Sequence, residues 1–134
     1  MKKKFSTAWK SSTQPRKQRK YRFNAPLHIK KSFMHSHLAK ELRQKYLLRS
    51  VGLKTGDKVK IMRGQFKGKT GKVERIDVKK TRVFITGIDV IKKDGSKTFF
   101  SFNPSNLLIT ELNLDDKKRQ QIIEKKKPAT KGGP

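Results

Sequence analysis

Short runs rich in β-branched and aromatic residues, separated by Gly or charged turns, occupy positions 58 to 63, 72 to 78, 81 to 86, 88 to 91, 98 to 102 and 107 to 112. Five or six strands within about 60 residues point to a mainly β fold, a small barrel. Val59 and Ile61 share one face of the first run, and Val83 and Ile85 one face of the third, so each offers an apolar side to a common core. The alternation loses phase between Val73 and Ile76, where a β-bulge would bend the strand as a small barrel requires. Asp94-Gly95 between two runs predicts a tight hairpin, because Gly accepts the positive φ of a primed turn. Phe99, Phe100 and Phe102 follow it, and Phe100 and Phe102 share a face expected to be core. With 32% hydrophobic residues, one small core is all this chain can build.

Charge divides the chain. Residues 1 to 50 carry 15 Lys or Arg and a single acid, Glu41, whereas 51 to 112 carry 14 basic and six acidic residues. The boundary expected near Val51 therefore separates a basic extension from the barrel. Residues 1 to 23, with five Lys or Arg between Arg16 and Arg22 and no acid, predict a disordered tail, since they offer too little burial to offset chain entropy. Residues 24 to 50 predict a helical extension. Pro26 suits the first turn of a short helix over 26 to 34 that aligns Ile29 and Phe33. Ser36 is placed to cap a second over 37 to 48, with Leu38, Leu42 and Tyr46 on one face. Beyond the barrel, at 113 to 134, Asp115-Asp116 followed by Lys117, Lys118 and Arg119 suits a helix dipole over about 115 to 127. Pro128 and Gly132-Gly133-Pro134 predict a frayed end.

A net charge of +26 on 134 residues calls for a polyanionic partner, and nucleic acid supplies charge at matching density. No apolar run approaches the roughly 18 residues of a spanning helix, and the basic start at Met1 to Lys4 leads into Phe5, Ser6 and Thr7 rather than an apolar stretch, so no membrane span or secretion is expected. Without cysteine there is neither disulfide nor thiolate zinc site, as suits a reducing cytosol. His28, His35 and His37 lack the spacing of a metal site. Asp57 and Asp94 occupy turn positions, and Glu74 and Asp77 lie on a basic strand, so no hydrolytic carboxylate pair emerges. The run from Gly64 to Thr70 imitates a nucleotide-binding P-loop, but three residues stand between its glycines where four are needed, and a strand pattern follows instead of a helix. No enzyme activity, cofactor or small-molecule substrate is expected.

The candidate binding residues are cations and glycines. Gly64, Gly68 and Gly71 allow positive φ and close approach, while Arg63, Lys67, Lys69 and Lys72 surround them with charge, a loop suited to following a phosphate backbone. The same glycines also suit a tight barrel corner. Arg16, Lys17, Arg19, Lys20 and Arg22 in the tail, with Lys30, Lys31 and Arg43 in the extension, complete the expected RNA-contacting set. Trp9, Tyr21 and Phe23, interleaved with basic residues, either stack on exposed nucleobases or anchor the tail on protein.

Segment 54 to 80 resembles a KOW motif in Gly56-Asp57, Val59, Ile61, Gly64, Lys67-Gly68 and Gly71. Over about residues 14 to 127, Gln14 to Lys20, Asn24 to Ile29, Leu38 to Tyr46 and Pro104 to Asn106 look like the archaeal and eukaryotic branch of large-subunit ribosomal protein L-twenty-four. That resemblance implies an SH3-like barrel in a structural constituent of the cytoplasmic large ribosomal subunit, bound to the 5′ region of its rRNA early in assembly. It implies a place near the polypeptide exit tunnel among neighbouring ribosomal proteins. The short C-terminal element favours an archaeal source. Asn103 departs from the His that commonly precedes Pro-Ser in the family, and residues 1 to 13 match nothing in it. A KOW transcription elongation factor would normally carry a second, less basic domain, and an RNA-modifying enzyme would need a catalytic cluster. A histone-like DNA packer is the remaining alternative.

Overall fold

The computed structural model describes residues 5–8 and 11–126. Alternation builds its centre. Strand β3 (Lys58–Ile61) buries Val59 and Ile61 completely, and β7 (Leu107–Glu111) does the same with Leu107 and Ile109. β3 pairs antiparallel with β7 on one side and with β4 (Thr70–Asp77) on the other. β4 continues antiparallel into β5 (Arg82–Ile91) and then β6 (Lys97–Phe102). Beyond β7 lie β1 (His35–Leu38), parallel to it, and β2 (Ser50–Gly52), so one seven-stranded mixed sheet runs β2-β1-β7-β3-β4-β5-β6. The mainly β, barrel-like build expected from the short runs is what forms.

The anticipated bulge falls between Val73 and Arg75, where the β4–β5 register shifts. The two runs expected at 81 to 86 and 88 to 91 form one strand instead, bent at Gly87, whose φ of +83° takes it out of the ladder. Gly95 turns the β5–β6 hairpin at φ +87°, with Lys92 N–H donating to Ser96 C=O at 2.8 Å. At the β4–β5 turn Thr81 holds φ +56°, a conformation β-branched residues resist. Thr81→Asn is expected to stabilise the fold by about 1 kcal/mol, read as a higher Tm. An unchanged or lower Tm would mean that the turn is not strained.

Three expectations for the extension change. Ser36 caps no helix: it lies inside β1, 1% exposed, and its hydroxyl donates to the Pro104 carbonyl at 2.6 Å. Helix α3 spans only Lys40–Tyr46 and is closed by Leu47 in a left-handed conformation. Pairing with β2 and β7 imposes period two on His35–Leu38, overriding the helical spacing of Leu38 with Leu42 and Tyr46. Leu42 and Tyr46 still pack against the core. The sheet therefore begins at His35, and the boundary expected at Val51 falls inside β2. The helix expected over 26 to 34 is α2 (Leu27–Ser32), with Pro26 at its N-cap.

The tail expected to be disordered contains helix α1 (Pro15–Asn24), which buries none of its residues. Ten residues are too few to hold a helix in water. Pro15 starts it, and Tyr21 anchors it, its ring 4.9 Å from Phe5 and 6.4 Å from Phe33. Charge density masks a run of good helix formers. Helix α4 (Lys117–Lys126) closes the core with Ile123, and Asp116 accepts from Lys118 N–H at 2.9 Å ahead of its first turn. The expected continuation to 127 and the frayed end lie outside the described residues, as do Met1 to Lys4.

α4 is also tied in by charge. Arg119, 3% exposed, grips the completely buried Asp57 through its two terminal guanidinium nitrogens, at 2.5 Å and 2.6 Å. Asp57 further accepts from Lys54 N–H and Asn113 N–H, and Arg119 donates to the Asn113 and Gly52 carbonyls. The turn aspartate of the sequence is thus the hub of a buried network.

Candidate nucleic-acid interface

The β3–β4 loop is held from below by Phe66. Its ring lies 5.0 Å from Phe100 and 6.0 Å from Phe102, and Gly68 N–H donates to Ile61 C=O at 2.8 Å. Gly64 and Gly68 take φ of +97° and +90°, as the sequence requires, each with open space where a side chain would start. Gly71 does not. A Cβ there would stand 2.6 Å from Ile85 Cγ2 and 3.0 Å from the Thr86 carbonyl, so Gly71 serves close packing of the strands. Arg63, Lys67, Lys69 and Lys72 are all exposed around this loop, with Lys69 Nζ 5.0 Å from the Phe66 ring centre.

Arg16, Lys17, Arg19, Lys20 and Arg22 all lie exposed on α1, a helix without a single acid. Arg43 is exposed on α3. Lys31 lines a different feature, a largely apolar cavity of about 430 Å³ shared with His28, His35 and Ile123. Burial, reinforced by Lys126, pushes the His35 imidazole below its ordinary value, which keeps it neutral near pH 7. Among the described residues no group of His and carboxylates is arranged to hold a metal ion. None of their helices is long and apolar enough to cross a membrane.

Arg22, Phe23 and Lys30 converge on a groove of about 810 Å³ with residues that the sequence alone does not single out. Arg75 on β4, Lys79 and Lys80 in the turn, and Arg82 on β5 supply its charge. Phe84 and Phe99 supply its apolar floor, their ring centres 6.4 Å apart, with the Arg75 guanidinium 4.2 Å from Phe84. The one carboxylate lining it, Asp77, accepts from Lys80 N–H at 3.2 Å. Asn103 caps the 3-10 turn Pro104–Asn106, accepting from Ser105 N–H through its side-chain oxygen. Of the aromatic trio, Tyr21 anchors α1 on protein, Phe23 is 80% exposed, and Trp9 lies outside the described residues. The run of Arg75, Lys79, Lys80 and Arg82 leading to Phe84 is the available signal for the groove. The same pattern is ordinary in an outward strand face, which hides it.

Relatives place this cationic surface in context. The large ribosomal subunit protein uL24 of Methanocorpusculum labreanum is 49% identical over 116 residues, covering 87% of this chain and 96% of its own. The proteins of that name from Methanothrix thermoacetophila and Methanosphaera stadtmanae are 46% and 45% identical, each covering 98% of its own length and 85% and 86% of this chain. Residues 12–126 match the family that unites eukaryotic ribosomal protein L26 with archaeal ribosomal protein L-twenty-four. With that match spanning every strand and helix of the described fold, the chain belongs to this family of ribosomal proteins.

Proposed function

We propose that this protein, a structural component of the large ribosomal subunit, binds the 5′ region of large-subunit rRNA, acts early in assembly and lies near the polypeptide exit tunnel. The observation that carries RNA binding is α1, whose five Lys and Arg all stand exposed with no acid among them. Five cations on one short helix repel one another, and a phosphate chain relieves that repulsion. The placement along the rRNA and at the tunnel rests on the likeness to the L-twenty-four branch. In this reading α1 and the β3–β4 loop neutralise phosphates and supply most of the affinity. The folded sheet fixes their spacing and so reads the shape of the RNA. The role is structural, not catalytic, with rRNA and adjoining ribosomal proteins as partners.

A competition titration tests it. Folded 5′-region rRNA should displace labelled protein from duplex DNA of equal length, and equal affinity for the two would end the rRNA reading. Gly68→Val keeps every charge but forces a β-branched residue to φ +90°. It should erode the preference for cognate over scrambled RNA severalfold while leaving the salt dependence unchanged. Full retention of that preference would remove the loop from the interface.

A further inference from the structure

We propose that the groove between α1, the β4–β5 turn and β6 receives an unpaired RNA nucleotide. Its base would lie on Phe23 and Phe99, and its flanking phosphates on Arg22, Lys79, Lys80 and Arg82. The inference rests on the RNA-binding reading above and gives that reading a ligand conformation.

Charge alone would suit any phosphate chain. Six cations, Arg22, Lys30, Arg75, Lys79, Lys80 and Arg82, face one carboxylate, and that carboxylate already serves the turn through Lys80 N–H. The aromatic rings decide the class. Phe23 is 80% exposed and Phe99 47% exposed, apolar surface that contributes nothing to the core yet is ringed by cations. Phenyl faces beside Lys and Arg are how proteins hold single-stranded bases, since every base has a π-face to offer. Size agrees: about 810 Å³ matches a small-ligand site. A duplex, its bases stacked inside, would reach the charges but leave both rings uncovered. Asn103, its side-chain oxygen engaged by Ser105, keeps its amide N–H groups to donate to a base edge. The strained Thr81 sits at the groove as well, as strained residues at ligand sites do.

The test uses the full chain, a short single-stranded RNA carrying a central fluorescent base analogue, and the RNA duplex of the same sequence. Wild type should bind the single strand with quenching of the analogue. Phe23→Ala combined with Phe99→Ala should weaken that binding about tenfold and abolish the quenching, with the salt slope and the duplex affinity unchanged. Circular dichroism identical to wild type confirms that the exposed substitutions leave the fold intact. Equal single-strand affinity for the two proteins, or a parallel loss on duplex, would overturn the groove assignment while leaving rRNA binding standing. A wild type that binds folded rRNA but not the single strand overturns it too. Failure to bind rRNA in any form would sink the broader reading with it.

Discussion

Arg119→Ala is expected to destabilise the fold by about 3–5 kcal/mol, because it strands a completely buried carboxylate without its cation. The loss goes beyond one ion pair. Both nitrogens that grip Asp57 also serve the Asn113 and Gly52 carbonyls, so removal leaves backbone acceptors unpaired as well. Against a typical domain stability of about 5–15 kcal/mol, that loss removes between about a fifth and all of it. Urea denaturation followed by far-UV circular dichroism measures this directly, with a midpoint shift of about 1–5 M for a slope of about 1–3 kcal/mol/M. Lys54→Ala supplies the contrast. It breaks the Lys54–Asp116 pair, 2.6 Å long with side chains 41% and 44% exposed, and should leave the midpoint almost unchanged. Equal midpoints for Arg119→Ala and wild type would show that α4 is not fastened through this pair. The double variant Asp57→Ala, Arg119→Ala should cost less than the sum of the singles, because neither charge is then left alone.

Asp57 also shows where a sequence stops being legible. Gly56-Asp57 reads as a turn from two adjacent residues, and Gly56 does take φ +91°. The partner 62 residues away cannot be read, because tertiary packing alone chooses among 36 cations. Strands β3, β4, β6 and β7 are visible for the opposite reason: period two is written locally, and the bulge after Val73 shows as a lost phase. β1 is invisible because four residues with a parallel partner, β7, carry no pattern strong enough to compete with a helical one spanning Leu38, Leu42 and Tyr46. α1 is hidden because charge and helix propensity point in opposite directions for an Arg- and Lys-rich run, and three aromatic rings, Phe5, Tyr21 and Phe33, decide between them. The β3–β4 loop is legible as far as its glycines and cations. The groove is not, since α1, α2, β4, β5 and β6 each contribute only one or a few of its residues.

α1 also changes how the electrostatic contribution has to be measured. Deleting residues 1 to 23 would remove Tyr21 and with it the aromatic anchor against Phe33, mixing lost charge with lost structure. Replacing Arg16, Lys17, Arg19, Lys20 and Arg22 by Gln removes five charges and keeps helix-compatible side chains. One contact goes with them, the Arg22 guanidinium 5.2 Å from the Phe33 ring centre, worth about 0.5–1 kcal/mol. If all five meet phosphate, the log-log salt slope of rRNA binding should shrink by roughly 3.5 to 4.5 units, at about 0.7 to 0.9 per neutralised phosphate. At physiological ionic strength that corresponds to about a thousandfold loss of affinity. The loss should fade as salt rises, because the counterions released by wild type then return little free energy. This separates it from the effect expected of the groove rings, which is smaller and independent of salt. Binding measured across a salt series, with helicity checked by circular dichroism, therefore distinguishes charge from stacking on the same RNA. An unchanged slope in the five-fold variant would mean that α1 faces protein or solvent in the ribosome, and phosphate neutralisation would pass to the β3–β4 loop and the cations of the β4–β5 turn.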